Sequence, residues 1–349
     1  MSPTARPLLE VADLSVWIDT GGEPLHIVED VGFTLESGKS LGLIGESGSG
    51  KSITALSLIG LLPAGAKARG RVVLDGADIL NLPERQLRRI RGRQISMIFQ
   101  EPMTALDPVF TIGFQLSATL RAHEPDVSRQ QARERCIEML EAVGIPDPRR
   151  RYGEYPHQLS GGMRQRVMIA MALITGPSVL IADEPTTAVD ITIQAQLLAL
   201  LAQLSAERGT SVLLISHDIG VVAELCEEVA VMYAGQIVER GPVDSLLRNP
   251  AHPYTSGLLH AAPRVDNRGE RLTAIRGRVP PPEALGIGCR FADRCDHARH
   301  SCVVREQVLT PVRATTTPKH TVRCERQREL DLPGVANGDT DAGRLEVVR

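Results

Sequence analysis

The chain has 349 residues, 42% hydrophobic and 23% charged. At roughly 100 to 200 residues per domain, that is material for two domains, or for one large domain with an appendage, and not for a wholly disordered chain. A net charge of -3 and 3% aromatic residues supply neither the basic field nor the stacking rings of a nucleic-acid binder. The longest apolar runs, 167–175 and 229–234, fall well short of the roughly 20 residues that span a bilayer. The N-terminal MSPTARPLLEVADLSV places two prolines and Glu10 where a secretory apolar core would run, so the chain is expected to stay in the cytoplasm.

In chain order, the first informative segment begins at Leu41. LGLIG, ESGSGKS and ITALSLIGLL follow one another, which predicts strand, loop and helix. Apolar runs at 95–99, 179–182, 212–215 and 229–233 predict further strands. Their lack of alternation predicts burial on both faces, as in the parallel sheet of an α/β fold. Between 101 and 176 lies an insert in which Ala132, Cys136, Met139, Leu140 and Val143 recur at helical spacing, so a helical subdomain is predicted there, interrupting a core of 1–100 and 177–248. Its arginines, Arg149, Arg150 and Arg151 among them, read as a solvated face. From Asn249 the periodicity gives way, predicting a separate loop-rich appendage over 249–330. The Gly- and Asp-rich 331–349 predicts a disordered tail.

Gly45, Glu46, Ser47, Gly48, Ser49, Gly50, Lys51 and Ser52 spell GESGSGKS, which fits G-x-x-x-x-G-K-[ST] in the strand-to-helix setting that this pattern requires. Glycines let successive backbone N–H groups turn inward around phosphate oxygens. The helix N-terminus adds partial positive charge, Lys51 neutralises the outer phosphates, and Ser52 offers a hydroxyl to Mg²⁺. About 130 residues downstream, VLIADEP ends an apolar strand in two carboxylates. Asp183 is predicted to hold Mg²⁺ and Glu184 to polarise an attacking water.

Residues 159–166 read LSGGMRQR. With the phosphate loop, Gln100 after ISMIF, the DEP element, Asp190 in TTAVD and His217 in LLISHD, in this order and spacing, the chain over about 8–245 resembles the ATP-binding subunit of ABC transporters. LSGG is the element that separates this family from other phosphate-loop ATPases. The resemblance implies a RecA-like core with a helical subdomain, and ATP hydrolysis with Mg²⁺. Gln100 would sense the metal or the water and touch a membrane partner, and His217 would contact the γ-phosphate. Ser160, Gly161 and Gly162 would bind nucleotide held by a second subunit, so one chain makes half of each site; Asp190 belongs to the same nucleotide-binding set. Two departures stand out. Met163 follows LSGG where the family usually has glutamine. The adenine-stacking slot falls on Ile18, with Trp17 one position earlier and so on the opposite strand face.

NPAHPYTSGLLHAAPR, followed by RGRVPPP and GCRFADRC, is similar to the C-terminal extension of oligopeptide and dipeptide importer ATPases; related systems carry nickel or other small solutes. The resemblance implies peptide import driven from the cytoplasmic face of the inner membrane. The implied partners are two permease subunits, a second ATPase subunit (paralogue or self) and an extracytoplasmic solute-binding protein, with no nucleic acid. A soluble ATPase acting on nucleic acid or ribosomes is the competing class, and it usually carries tandem cassettes or basic arms. Cys289, Cys295, Cys302 and Cys324 are separated by five, six and 21 residues. Spacing decides between neither zinc nor an iron–sulfur cluster, with His297, His300 and His320 as further donors. Some members of this importer branch are similar in having a 4Fe-4S cluster here, which makes that the expected cofactor, with zinc as the alternative.

Overall fold

The computed structural model describes residues 6–100, 105–185, 191–261, 275–312 and 320–335. Its strands in chain order are β1 (Leu9–Ile18), β2 (Leu25–Leu35), β3 (Ser40–Ile44), β4 (Ala66–Leu74), β5 (Ala77–Asp78), β6 (Ile95–Ile98), β7 (Val179–Asp183), β8 (Ser211–Ser216), β9 (Glu228–Tyr233), β10 (Gln236–Pro242), β11 (Thr310–Pro311) and β12 (Thr321–Val322). The chain divides into two compact units: 1–35, 40–81 and 214–349 form one, and 36–39 and 82–213 the other.

In the first unit, β2, β1, β4 and β5 form an antiparallel sheet in that order. Leu9 of β1 stands opposite both Leu35 and Leu74, and all three are buried. A second sheet orders β11, β12, β10, β9 and β3. β3 and β9 are parallel, with Leu41 opposite Glu228 and Ile44 opposite Val231. Leu41, Leu43, Ile44 and all of 229–233 are buried, so the two strands lack alternation because both faces are covered. β9 turns into antiparallel β10 through Ala234 and Gly235, both at positive φ (44° and 85°), as the tight turn of a right-twisted hairpin requires.

The second unit pairs β6 with β7 in parallel, Ile95 opposite Val179. Around them lie the helices Ile112–His123, Arg129–Ala142, Gly161–Leu173 and Ile191–Arg208. Ser128 starts the second of these with a reciprocal capping box to Gln131. The predicted apolar stripe is the buried one: Ala132, Cys136, Met139, Leu140 and Val143. Arg149 and Arg150 are exposed and paired with Glu134 and Glu154, while Arg151 is half-buried against Glu154.

The segment beyond Asn249 is loop-rich as expected, but it is not separate. β12 pairs with β10, Glu239 opposite Val322, so the appendage extends the sheet of the first unit. Glu239 is fully buried and accepts from Ala251 N–H (2.7 Å), His252 N–H (2.9 Å) and His320 Nε2 (2.8 Å). Arg323, also buried, donates to the carbonyls of Ile237 and Gln307 and to Asp30. A buried carboxylate and a buried guanidinium are tolerated only with such partners, and here they tie the appendage down. Residues 331–335, expected to begin a disordered tail, are packed instead: Leu332 and Val335 are buried, and Val335 N–H donates to Leu247 O.

Candidate functional site

The phosphate loop leaves β3 at Ile44. Gly45 has φ 157°, and a Cβ there would stand 2.1 Å from the carbonyl oxygen of Met232 in β9, so no other residue fits. Gly50, at φ 99°, precedes the helix Lys51–Leu58, and its Cβ would meet Met232 Cε at 2.9 Å and Ile27 O at 3.3 Å. The loop thus lies directly on the β9 backbone. Gly50 has no side chain to cap the helix, and a helix N-terminus of this kind suits an anion's oxygens. Lys51 is buried and its Nζ donates to Gly45 O (2.7 Å), Glu46 O (3.0 Å) and Ser49 Oγ (3.4 Å). Ser47 and Gly48 form the exposed crest; Ser49 is buried and its carbonyl accepts Gly235 N–H at 2.9 Å. Ser52 is half-buried at the second helical position.

Glu46 is held by residues more than 200 positions away. Its N–H donates to Tyr254 Oη (2.9 Å), and its carboxylate receives both terminal nitrogens of Arg294, at 2.9 and 3.1 Å. Neither partner was visible as a site residue in the sequence, because no local pattern marks a contact of that separation.

In the second unit, β7 ends in buried Asp183, followed by Glu184 at φ 45°. A non-glycine residue in the left-handed region costs roughly 1 kcal/mol or more and is characteristic of functional turns. Gln100, 84 residues earlier, donates Nε2 to Glu184 Oε2 at 3.0 Å, so these two predicted residues meet. Ser160 caps the helix Gly161–Leu173, accepting Met163 N–H at 3.3 Å. Gly161 has open space where a Cβ would stand, and Gly162 would meet Ile193 at 3.4 Å. His217 is exposed just after β8, next to Asp218, which caps the helix Ile219–Leu225 through Gly220 N–H (2.8 Å). Asp190 lies outside the described residues. In β1, Trp17 stands opposite His26 with ring centroids 6.0 Å apart.

Cys289, Cys295, Cys302 and Cys324 line one cavity with Phe291, His252, His297 and Glu325. It encloses about 20 Å³, room for one water-sized group. Burial pushes the Cys289 thiol up to about 12 and the Cys324 thiol to about 11, and it raises that of Cys295. The neighbouring cysteines add to the rise, since a second thiolate repels the first. Thiols so placed hold their protons unless a positive centre displaces them. The donor chemistry suits a soft, thiolate-ligated group. Even so, among the described residues no group of three or more His, Cys, Asp or Glu side chains is arranged to hold a single metal ion. His300 and His320, possible extra ligands, are not on the cavity wall, and His320 is spent on Glu239.

Among the described residues, no helix is long and apolar enough to cross a membrane. Residues 28–187 match the ABC transporter family, and 238–302 match the oligopeptide/dipeptide transporter C-terminal region. The chain is 47% identical over 338 residues to a putative peptide import ATP-binding protein of Brucella melitensis, covering 93% of this chain and 98% of that protein. It is 50% identical over 321 residues to one of Brucella abortus, covering 91% and 96%. Among solved structures, it is similar to a dimeric ATP-binding cassette in a post-hydrolysis state bound to ADP and Pi, at 29% identity and a TM-score of 0.60, over 67% of this chain and 98% of that one. It is also similar to cbiO1 from Clostridium perfringens, part of the ABC transporter complex cbiONQ, at 26% identity and 0.58, over 69% and 90%. The chain therefore belongs to the ABC transporter family, in its oligopeptide/dipeptide branch, and is an ATP-hydrolysing transporter subunit.

Proposed function

We propose that the chain is the motor of an importer of di- and oligopeptides, seated on the cytoplasmic face of the cell membrane. It works with two permease subunits, a second ATPase subunit (a copy of itself or a paralogue) and an extracytoplasmic binding protein. The observation that carries this reading is the match of 238–302 to the oligopeptide/dipeptide transporter region, in a chain alignable almost end to end with relatives named for peptide import.

The proposed roles follow from residue chemistry. Gly45 to Gly50 wrap the phosphates with backbone N–H groups, and Lys51 neutralises the β/γ charge. Ser52 and Asp183 hold Mg²⁺. A water attacks the γ-phosphorus, Glu184 accepts its proton, and the bond to the departing ADP oxygen breaks. Gln100 orients the Glu184 carboxylate through Oε2. His217 and the Ser160, Gly161 and Gly162 terminus of a second subunit stabilise charge on the transferring group. Isolating the complex from membranes tests the assembly, and adding binding protein loaded with peptide tests the cargo: peptide should raise ATP turnover. Stimulation by nickel and not by peptide would overturn the cargo assignment.

On the resemblance to the importer branch, the four cysteines are proposed to hold a 4Fe-4S cluster, with zinc as the weaker alternative; the cavity of about 20 Å³ would have to widen to admit the cluster. Four soft donors on one cavity wall support a thiolate-ligated group. Such a group would supply positive charge to thiols that otherwise stay protonated, stapling loops that carry little other structure. Iron and acid-labile sulfide in anaerobically purified protein support it. Stoichiometric zinc in a colourless protein sinks it.

A further inference from the structure

We infer that Arg294 is a positioning residue for the phosphate loop, and that the appendage is therefore part of the nucleotide-binding apparatus. The inference rests on ATP binding by the loop and not on the cargo. Glu46 is the second residue of a loop built to receive an anion, so its carboxylate would repel a nucleotide's phosphates. Arg294 answers that charge with a two-pronged bond to both carboxylate oxygens.

The guanidinium is itself fixed. Its side chain is 7% exposed, its Nε donates to Arg276 O at 2.7 Å, one Nη reaches Tyr233 Oη at 3.3 Å, and its Cζ lies over the Tyr233 ring, 5.6 Å from the centroid. Tyr254 restrains the same loop residue through its backbone N–H. A bidentate, charge-assisted pair anchored at one end sets direction as well as charge. Here it turns the Glu46 side chain toward the appendage, while the Glu46 carbonyl accepts Lys51 Nζ. Arg294 also closes the short 3₁₀ turn Ala292–Arg294 that leads directly into Cys295 on the thiol cavity.

The test is a double-mutant cycle on the full chain, read as ATP affinity by calorimetry, with circular dichroism and thermal melting confirming the fold. Arg294→Ala should weaken ATP binding about tenfold, the scale of one lost charge-assisted bond. In a Glu46→Gln background the same substitution should cost less than about threefold, because no charge remains to be neutralised. Should the alanine protein fail to fold, Arg294→Lys keeps the charge without the fork and should weaken binding by about threefold. An intact fold with affinity within twofold of wild type would overturn the proposal, as would an equal loss in both backgrounds. Failure of peptide to stimulate turnover would leave these affinities untouched, so the two readings fail separately.

Discussion

Glu184 carries the sharpest expectation among single residues. Glu184→Gln keeps the shape and the hydrogen bond from Gln100 but removes the base, so ATP binding should persist while turnover falls by about 10² to 10⁴. Single-turnover hydrolysis at the wild-type rate would refute the role. At Gly45 the constraint is steric: Gly45→Ala would drive a Cβ into Met232 O, and the variant should lose nucleotide binding or fold stability, measured by calorimetry and chemical denaturation. His252 gives a pH prediction. Burial pushes its pKa down to about 3, and Nδ1 accepts Tyr254 N–H at 3.1 Å at the start of the helix Pro253–Ala261. The folded form therefore excludes the proton. Its contribution is complete above the unfolded value of about 6.5 and is lost as pH falls from there toward 3, by up to about 1.4 kcal/mol per pH unit. His252→Asn keeps a capping acceptor without titrating, so unfolding curves between pH 6 and 4 should be flatter for the variant. Phosphate-loop and carboxylate residues were readable because a short pattern of fixed residue types carries them. The partners of Glu46 were not, since Tyr254 and Arg294 reach it only through the fold.

At the scale of elements, the expected strands at 41–45, 95–99, 179–182, 212–215 and 229–233 all form within a residue or two of those bounds. Uninterrupted apolar runs of that length have few other places to go than a covered sheet. The appendage defied the same reasoning. β11 and β12 are two residues each, too short for periodicity to register, and they exist because β10 offers an edge and Glu239 offers three acceptor contacts. Glu239→Ala would leave three buried donors unmatched and should cost about 3 kcal/mol or more of stability. Denaturant titration would show this loss, and limited proteolysis should then cut first beyond Asn249. The burial of Leu332 and Val335 was hidden in the sequence by the polar composition of the residues after them.

For the whole molecule, the proposed division of each active site between two chains predicts a ligand-linked assembly. The Glu184→Gln chain, with its natural partner chain if that is a paralogue, should associate on adding ATP and dissociate with ADP, as read by sedimentation velocity. An ATP-independent monomer in both cases would count against the shared site. What the sequence by itself determined is the family and its chemistry: GESGSGKS, LSGG and the DEP turn are local, and phosphate binding, helix capping and base positioning need only a few residues at fixed spacing. The tertiary structure alone decided that the C-terminal region continues the sheet of the first unit and that Arg294 grips the phosphate loop. Those outcomes depend on burial and on contacts between distant segments, which composition and periodicity do not record.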